Sequence, residues 1–356
     1  MTPYFLRVAG VLTALVSLGA ASAAAQSSDR AAQSSGELHI VWEVKNRFRL
    51  FREEKDFQLQ VDALAGRSIL ASEQYLALES EGRGWARNAF SRLCIDPIGR
   101  IADQCDRDGT SESYLAPTDH RIGVRLAGAV PPNTDCAWTF DNGQGTPQQI
   151  NKVCSAQVEL RVREGVPTVA RLEATGPGGN PVQLSTEILV RDILIAGMGD
   201  SVASGEGNPD RPVALSDDGF CFMQFLAGQS SAYFRPGRAG FEGDKSCDLA
   251  GGPGSSDPEW TRLSARWMNA ACHRSLYSYQ MRAALALAVE TPHASVTMIP
   301  LACTGASIEN GLFGSQRSRE HDCSPDVACP RTVPGQIGAL QALLARSRQS
   351  NPNRKL

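Results

Sequence analysis

The spacing of apolar and polar residues changes near residue 190. Before it, Val158, Leu160 and Val162 alternate with Glu159 and Arg161, and Ala170, Leu172 and Ala174 alternate with Arg171 and Glu173. A period of two is that of a strand with one face buried. Val182–Val190 reads as a further strand, and Trp138-Thr139-Phe140 runs into the turn signal Asp141-Asn142-Gly143. His39–Val44 opens another strand that Phe48, Leu50 and Phe51 extend, Ser68–Leu78 reads as a short helix, and Arg92–Thr118 is irregular. After residue 190, Ile193–Met198 and Ser295–Pro300 are short unbroken apolar runs, as expected of buried parallel strands. Ser275–Val289 is an Ala- and Leu-rich helix stopped at Thr291-Pro292. Thr332 caps a last helix near 333–348, with Pro334 in its first turn and Ile337, Leu340, Leu343 and Leu344 on one face. The stretch 206–270 is loaded with Gly, Pro, Asp and Ser, an irregular insertion too long to be a plain connection.

These patterns divide the chain into a β-rich unit at 37–190 and an α/β unit at 191–356. In the first, Cys136, Trp138 and Cys154 resemble the cysteine–tryptophan–cysteine order of an Ig-like or PKD-like sandwich. The N-terminus has its own grammar. Arg7 precedes the apolar stretch Val8–Ala20, and Ala21-Ser22-Ala23 and Ala23-Ala24-Ala25 offer small-residue cleavage sites. Residues 1–25 therefore read as a signal peptide and 26–36, rich in Ser, Gln and Ala, as a flexible leader. Nothing later approaches the roughly 18 apolar residues of a membrane span. The expected location is secreted or periplasmic.

Ten cysteines in an exported chain favour disulfides, with Cys94–Cys105, Cys136–Cys154 and Cys323–Cys329 as sequence-near pairs. No CxxC pair or HExxH occurs, so no metal site is expected. A net charge of −3, with both signs interspersed, carries no nucleic-acid footprint.

The chemistry concentrates where the first apolar run of the α/β unit ends. Gly199-Asp200-Ser201 follows a strand directly, and ligands of open α/β sheets bind beyond the carboxyl ends of their strands. Ser201 is therefore the candidate nucleophile. Other readings fail on spacing. A dinucleotide GxGxxG breaks at Val202, a GxSxG elbow needs glycine where Ala203 stands, and an EF-hand would put ligands at Gln104 and Leu115.

With Gly205 four residues on, this turn resembles the first block of the SGNH or GDSL hydrolases. Leu301-Ala302-Cys303-Thr304-Gly305-Ala306 is similar to their second block, and Cys272-His273-Arg274-Ser275 is similar to a segment of their secreted bacterial lipase and esterase branch. The resemblance covers about the last 160 residues. It implies a flavodoxin-like three-layer α/β/α domain, present here in part. It also implies an acyl-enzyme on Ser201, oxyanion donors at the backbone N–H groups of Ser201 and Gly305, and a turn organised by Asp200 and Gly205. The substrate would be a small-molecule, lipid or polysaccharide ester, with no cofactor. The family's GxND and DxxH blocks do not follow Gly305. His321 is the one histidine beyond it, His293 reads as a surface-turn residue, and His273 as structural or substrate-side rather than catalytic. The chain's close, Asn351 to Leu356, reads as a turn into another strand. The expectation is thus a truncated hydrolase domain of impaired activity. The alternative is a catalytically silent protein that binds a cell surface or glycan.

Overall fold

The computed structural model describes residues 38–80, 84–129, 133–175, 180–211, 265–320, 322–324 and 327–350, with three short strand pieces between 222 and 246. The expected signal peptide, leader and final turn, most of the insertion, His321, Cys221 and Cys247 lie outside the described residues.

The elements of the first half are β1 (His39–Val44), α1 (Glu54–Leu64), α2 (Ile69–Glu79), β2 (Gln104–Arg107), β3 (Thr110–Ser113), β4 (Asp119–Ala127), β5 (Asp135–Asp141), β6 (Gln148–Val153), β7 (Val158–Arg163), β8 (Thr168–Thr175) and β9 (Pro181–Ile188). Alternation makes the sandwich. Along β7, every second residue from Val158 is buried, while the charged residues between stay in water. Two antiparallel sheets, ordered β1-β4-β7 and β6-β5-β8-β9, close on a common core of Ile122, Val124, Trp138, Leu160, Leu172 and Ile188. The Cys136–Cys154 bridge joins β5 to the residue after β6, neighbours within one sheet rather than partners across the core. The stretch expected to be irregular contains the β2–β3 hairpin.

The second half contributes β10 (Arg191–Gly197), α3 (Ser201–Ser204), α4 (Tyr279–Glu290), β11 (Ala294–Pro300) and, near its end, α5 (Gln336–Ser350). The chain thus mixes α and β elements, with β10 and β11 pairing in parallel from Arg191 opposite Ala294 to Gly197 opposite Pro300. β11 is buried along its whole length, as its apolar run predicts. β10 is only half-buried, contrary to expectation, because among the described residues its outer edge carries no strand.

The outer edge of β11 is covered from an unexpected direction. Val296 N–H donates to Arg47 O (2.8 Å) and Arg49 N–H to Val296 O (2.9 Å). Phe48, Leu50 and Phe51 therefore do not extend β1; they leave the sandwich and enter the α/β core. That core combines Phe48, Phe51, Phe57, Leu93 and Tyr114 with Leu276, Met281, Val296 and Met298. Packing does not divide the chain into 37–190 and 191–356. Residues 48–115 share a core with 268–301, while Val44 and the buried apolar residues of 122–190 form the sandwich core.

Both later helices start after their expected first residue. Ser278 Oγ accepts from Met281 N, which fixes the start of α4 at Tyr279 rather than Ser275. Thr332 does not cap α5 but pairs, with Val333, as a strand against Gln316–Arg317. Ala339, Leu340 and Leu343 nevertheless pack on the core as one face of α5. α2 begins as expected, with Ser68 Oγ accepting from Ala71 N. His293 is exposed, yet its ring stacks on Trp42 at 4.0 Å and its Nε2 donates to Trp42 O. It thereby ties β1 to the turn before β11.

Four disulfides form among the described residues: the three sequence-near pairs and Cys272–Cys303. Such cross-linking belongs to an oxidising compartment. No described helix is long and apolar enough to cross a membrane.

Arg49 is fully buried beside Phe48 and Leu50. It donates to Tyr114 O and Ser113 O, and its Nη1 lies 2.9 Å from Glu112 Oε1. Burial lowers its pKa to about 10, which keeps it cationic at neutral pH. Breaking a buried ion pair typically costs 3–5 kcal/mol; because Arg107 still neutralises Glu112, Arg49→Met should cost about 3 kcal/mol. Urea denaturation of both proteins measures it, and a loss below about 1 kcal/mol would contradict the assignment.

Candidate active site

The strand β10 stops at Gly197, and the next residues form a single helical turn with both ends capped. Asp200 Oδ1 accepts from Val202 N (3.1 Å) at the start of α3. Gly205 closes it in the left-handed region at φ +80°, donating to Ser201 O and Val202 O. A Cβ there would lie 2.9 Å from Ser278 Cβ, so the position needs glycine for space as well as for conformation. Ser201 is the first residue of α3, where a backbone N–H has no partner within its own helix. It is partly exposed, and among the described residues neither its N–H nor its hydroxyl is hydrogen-bonded.

The second block reaches the same place from β11. Leu301 N and Ala302 N donate to Gly197 O, and Cys303 N donates to Gly199 O at 3.0 Å. Thr304 Oγ1 lies 3.0 Å from Ser204 Oγ, bracing the segment against α3. Gly305 follows with φ +79°, and its N–H donates to no described residue. Sequence-expected Ser201, Asp200, Gly205 and Gly305 thus lie in two segments joined by direct hydrogen bonds.

Four supports of this arrangement escaped the sequence. Cys272–Cys303 ties the residue before Thr304 to the segment preceding α4, across 31 residues. Gln336, buried at the start of α5, uses its amide both ways on one residue: Oε1 accepts from Gly199 N and Nε2 donates to Gly199 O, each at 2.8 Å. Asp210 accepts from Met268 N, Leu276 N and Ser275 Oγ, and burial pushes its pKa up to about 7 against those hydrogen bonds. Glu206 and Glu320 hold a histidine between them.

That histidine is His273. Its Nδ1 is 3.0 Å from Glu206 Oε1, its Nε2 is 2.8 Å from Glu320 Oε1, and its ring stacks on Trp267 at 3.8 Å. Ionised carboxylates only accept, so both ring nitrogens must donate and the ring is an imidazolium. Burial works against that charge, but the hydrogen bonds to Glu206 and Glu320 outweigh it and the pKa is raised. A group in this state cannot accept the Ser201 proton, so His273 acts as a structural tie. His120 is likewise engaged, 3.2 Å from Asp192. Among the described residues no cluster of three or more His, Cys, Asp or Glu side chains could hold a metal.

Two expectations follow for stability. His273 contributes fully below pH 6.5, and that contribution is lost as pH rises through its raised folded-state value. Asp210 acts in the same direction, since an acid raised from 3.8 to about 7 loses stabilisation as pH rises between those values. The melting temperature should fall from pH 6 to pH 8, and His273→Gln should flatten that fall; an equal slope in the variant would exclude His273 as its source. Separately, Gly205→Ala should lower stability by at least the roughly 1–2 kcal/mol of a left-handed non-glycine residue, read from thermal melts, because contact with Ser278 adds to it.

Compared with protein-family models, curated proteins and solved structures, the chain matches none, so its function rests on this geometry.

Proposed function

We propose that this protein is an exported serine ester hydrolase of the SGNH or GDSL type, with Ser201 as its nucleophile. The supporting observation is a serine hydroxyl and two backbone N–H groups, those of Ser201 and Gly305, that have no hydrogen-bond partner among the described residues. They stand on adjacent segments braced by the Cys303 N–Gly199 O and Ser204–Thr304 contacts. In this reading Ser201 Oγ attacks the acyl carbon and its proton passes to a base. The carbonyl oxygen becomes an oxyanion that the two N–H groups stabilise, and each such donor is worth a few kcal/mol of barrier. Collapse expels the alcohol, which takes up a proton, and water then releases the acid from the acyl-serine. The disulfides favour export, and the α/β half is read as part of a three-layer α/β/α fold.

The base is the weak link. His273 is committed to two carboxylates, and no described histidine hydrogen-bonds Ser201. Without a base, a triad enzyme keeps only the residual catalysis of its oxyanion hole and binding, so turnover should be slow and acylation should outlast it.

Incubation with p-nitrophenyl acetate should release nitrophenol slowly and leave an acetyl group on the Ser201 peptide, as read by mass spectrometry. Ser201→Ala should abolish the adduct and reduce release at least tenfold. Release that survives the substitution would refute the nucleophile. Neither release nor adduct in the folded protein would favour a catalytically silent binding protein.

A further inference from the structure

A second feature lies on the other side of the second block, where a cleft of about 680 Å³ opens between the 96–103 loop, the end of β11 and α5. Its volume is in the range of sites for small organic ligands. Ile98, Ile101, Leu301, Pro334, Ala339 and Leu343 make most of it apolar. The charged residues at its rim are paired, Arg100 with Asp96 at 2.8 Å and Arg346 with Asp103 at 3.3 Å.

Arg274 is different. It lines the cleft, and no carboxylate lies within ion-pair distance of it among the described residues. Its Nε donates to Ala302 O (2.8 Å), and Nη2 donates to the Cys272 sulfur (3.3 Å). Nη1 has no described partner. A guanidinium carries five N–H donors in a fixed fork, so the Nη1–Nη2 end keeps three unmet donors. Burial lowers its pKa to about 10, so it remains charged at neutral pH. Arg274 is half-buried, and a guanidinium with no carboxylate partner among the described residues is open to an anion that enters the cleft. A carboxylate matches the fork in shape and charge, and the apolar walls suit a hydrocarbon chain behind it.

We infer that this cleft binds a medium-chain carboxylate, with the head group on Arg274 and the chain along the apolar walls. Inorganic anions lack the chain and neutral alcohols lack the charge, so both should bind poorly. None of this uses Ser201, and titration of the Ser201→Ala variant reads the cleft whether or not the protein hydrolyses esters.

Calorimetric titration of the full chain with octanoate, octan-1-ol and acetate tests it. Octanoate should bind at least tenfold more tightly than octan-1-ol, and acetate should not saturate. Arg274→Met should weaken octanoate at least tenfold while leaving octan-1-ol unchanged. If that variant melts below the working temperature, Ala342→Trp, at an exposed α5 position on the cleft, should weaken octanoate to a similar extent by filling it. Equal affinity for octanoate and octan-1-ol would overturn the inference. So would no saturable octanoate binding by the folded protein, or octanoate affinity unchanged by whichever of the two variants is folded.

Discussion

The parallel register of β10 and β11 is the constraint on which the candidate site depends. Opposing Gly197 to Pro300 makes the two chains leave the sheet side by side. Carbonyls that the ladder would otherwise leave open, those of Gly197 and Gly199, then receive the N–H groups of Leu301, Ala302 and Cys303. A slip of one residue would move Cys303 off Gly199 and Thr304 off Ser204, and with them Gly305 away from Ser201. What prevents the slip is burial. β11 is enclosed on every side, and its outer edge is occupied by the backbone of residues 47–49, so a shifted register would strand several hydrogen-bonding groups in the core.

Around that pair, buried polar groups act as locks between segments far apart in sequence. Gln336 holds Gly199 from 137 residues away, Asp210 gathers Met268, Ser275 and Leu276, and His273 bridges Glu206 to Glu320. Each is satisfied by named partners, and each would cost heavily if one partner were removed. His273 shows how far environment decides role. An imidazole with one free nitrogen could serve as a base, but one flanked by two carboxylates holds its proton and becomes part of the scaffold.

Much of the local structure was legible. Period-two alternation located the strands of the sandwich, Ser68 marked the start of α2, and Gly199-Asp200-Ser201 marked a turn at the end of β10. The three sequence-near cysteine pairs do form, although spacing alone leaves connectivity open. Cys272–Cys303 was not among them, since its closeness comes from the fold and not from the chain. Phe48, Leu50 and Phe51 read as a continuing strand because their spacing cannot tell which core they will enter. The start of α5 was misplaced because Thr332 was claimed by a β pairing with Arg317, and a cap preference is weaker than that tertiary contact.

The amino-acid sequence by itself therefore determined most strands of the sandwich, the two parallel strands of the α/β half and the turn on which the candidate nucleophile stands. Those depend on neighbours within a few residues, whose preferences the chain carries directly. Tertiary structure alone decided which segments share a core, that His273 is a charged tie, that Gln336 clamps the turn and that Arg274 faces a cleft with no carboxylate partner among the described residues. Protonation, burial and pairing depend on what stands opposite a group in space, and no periodicity along the chain encodes that.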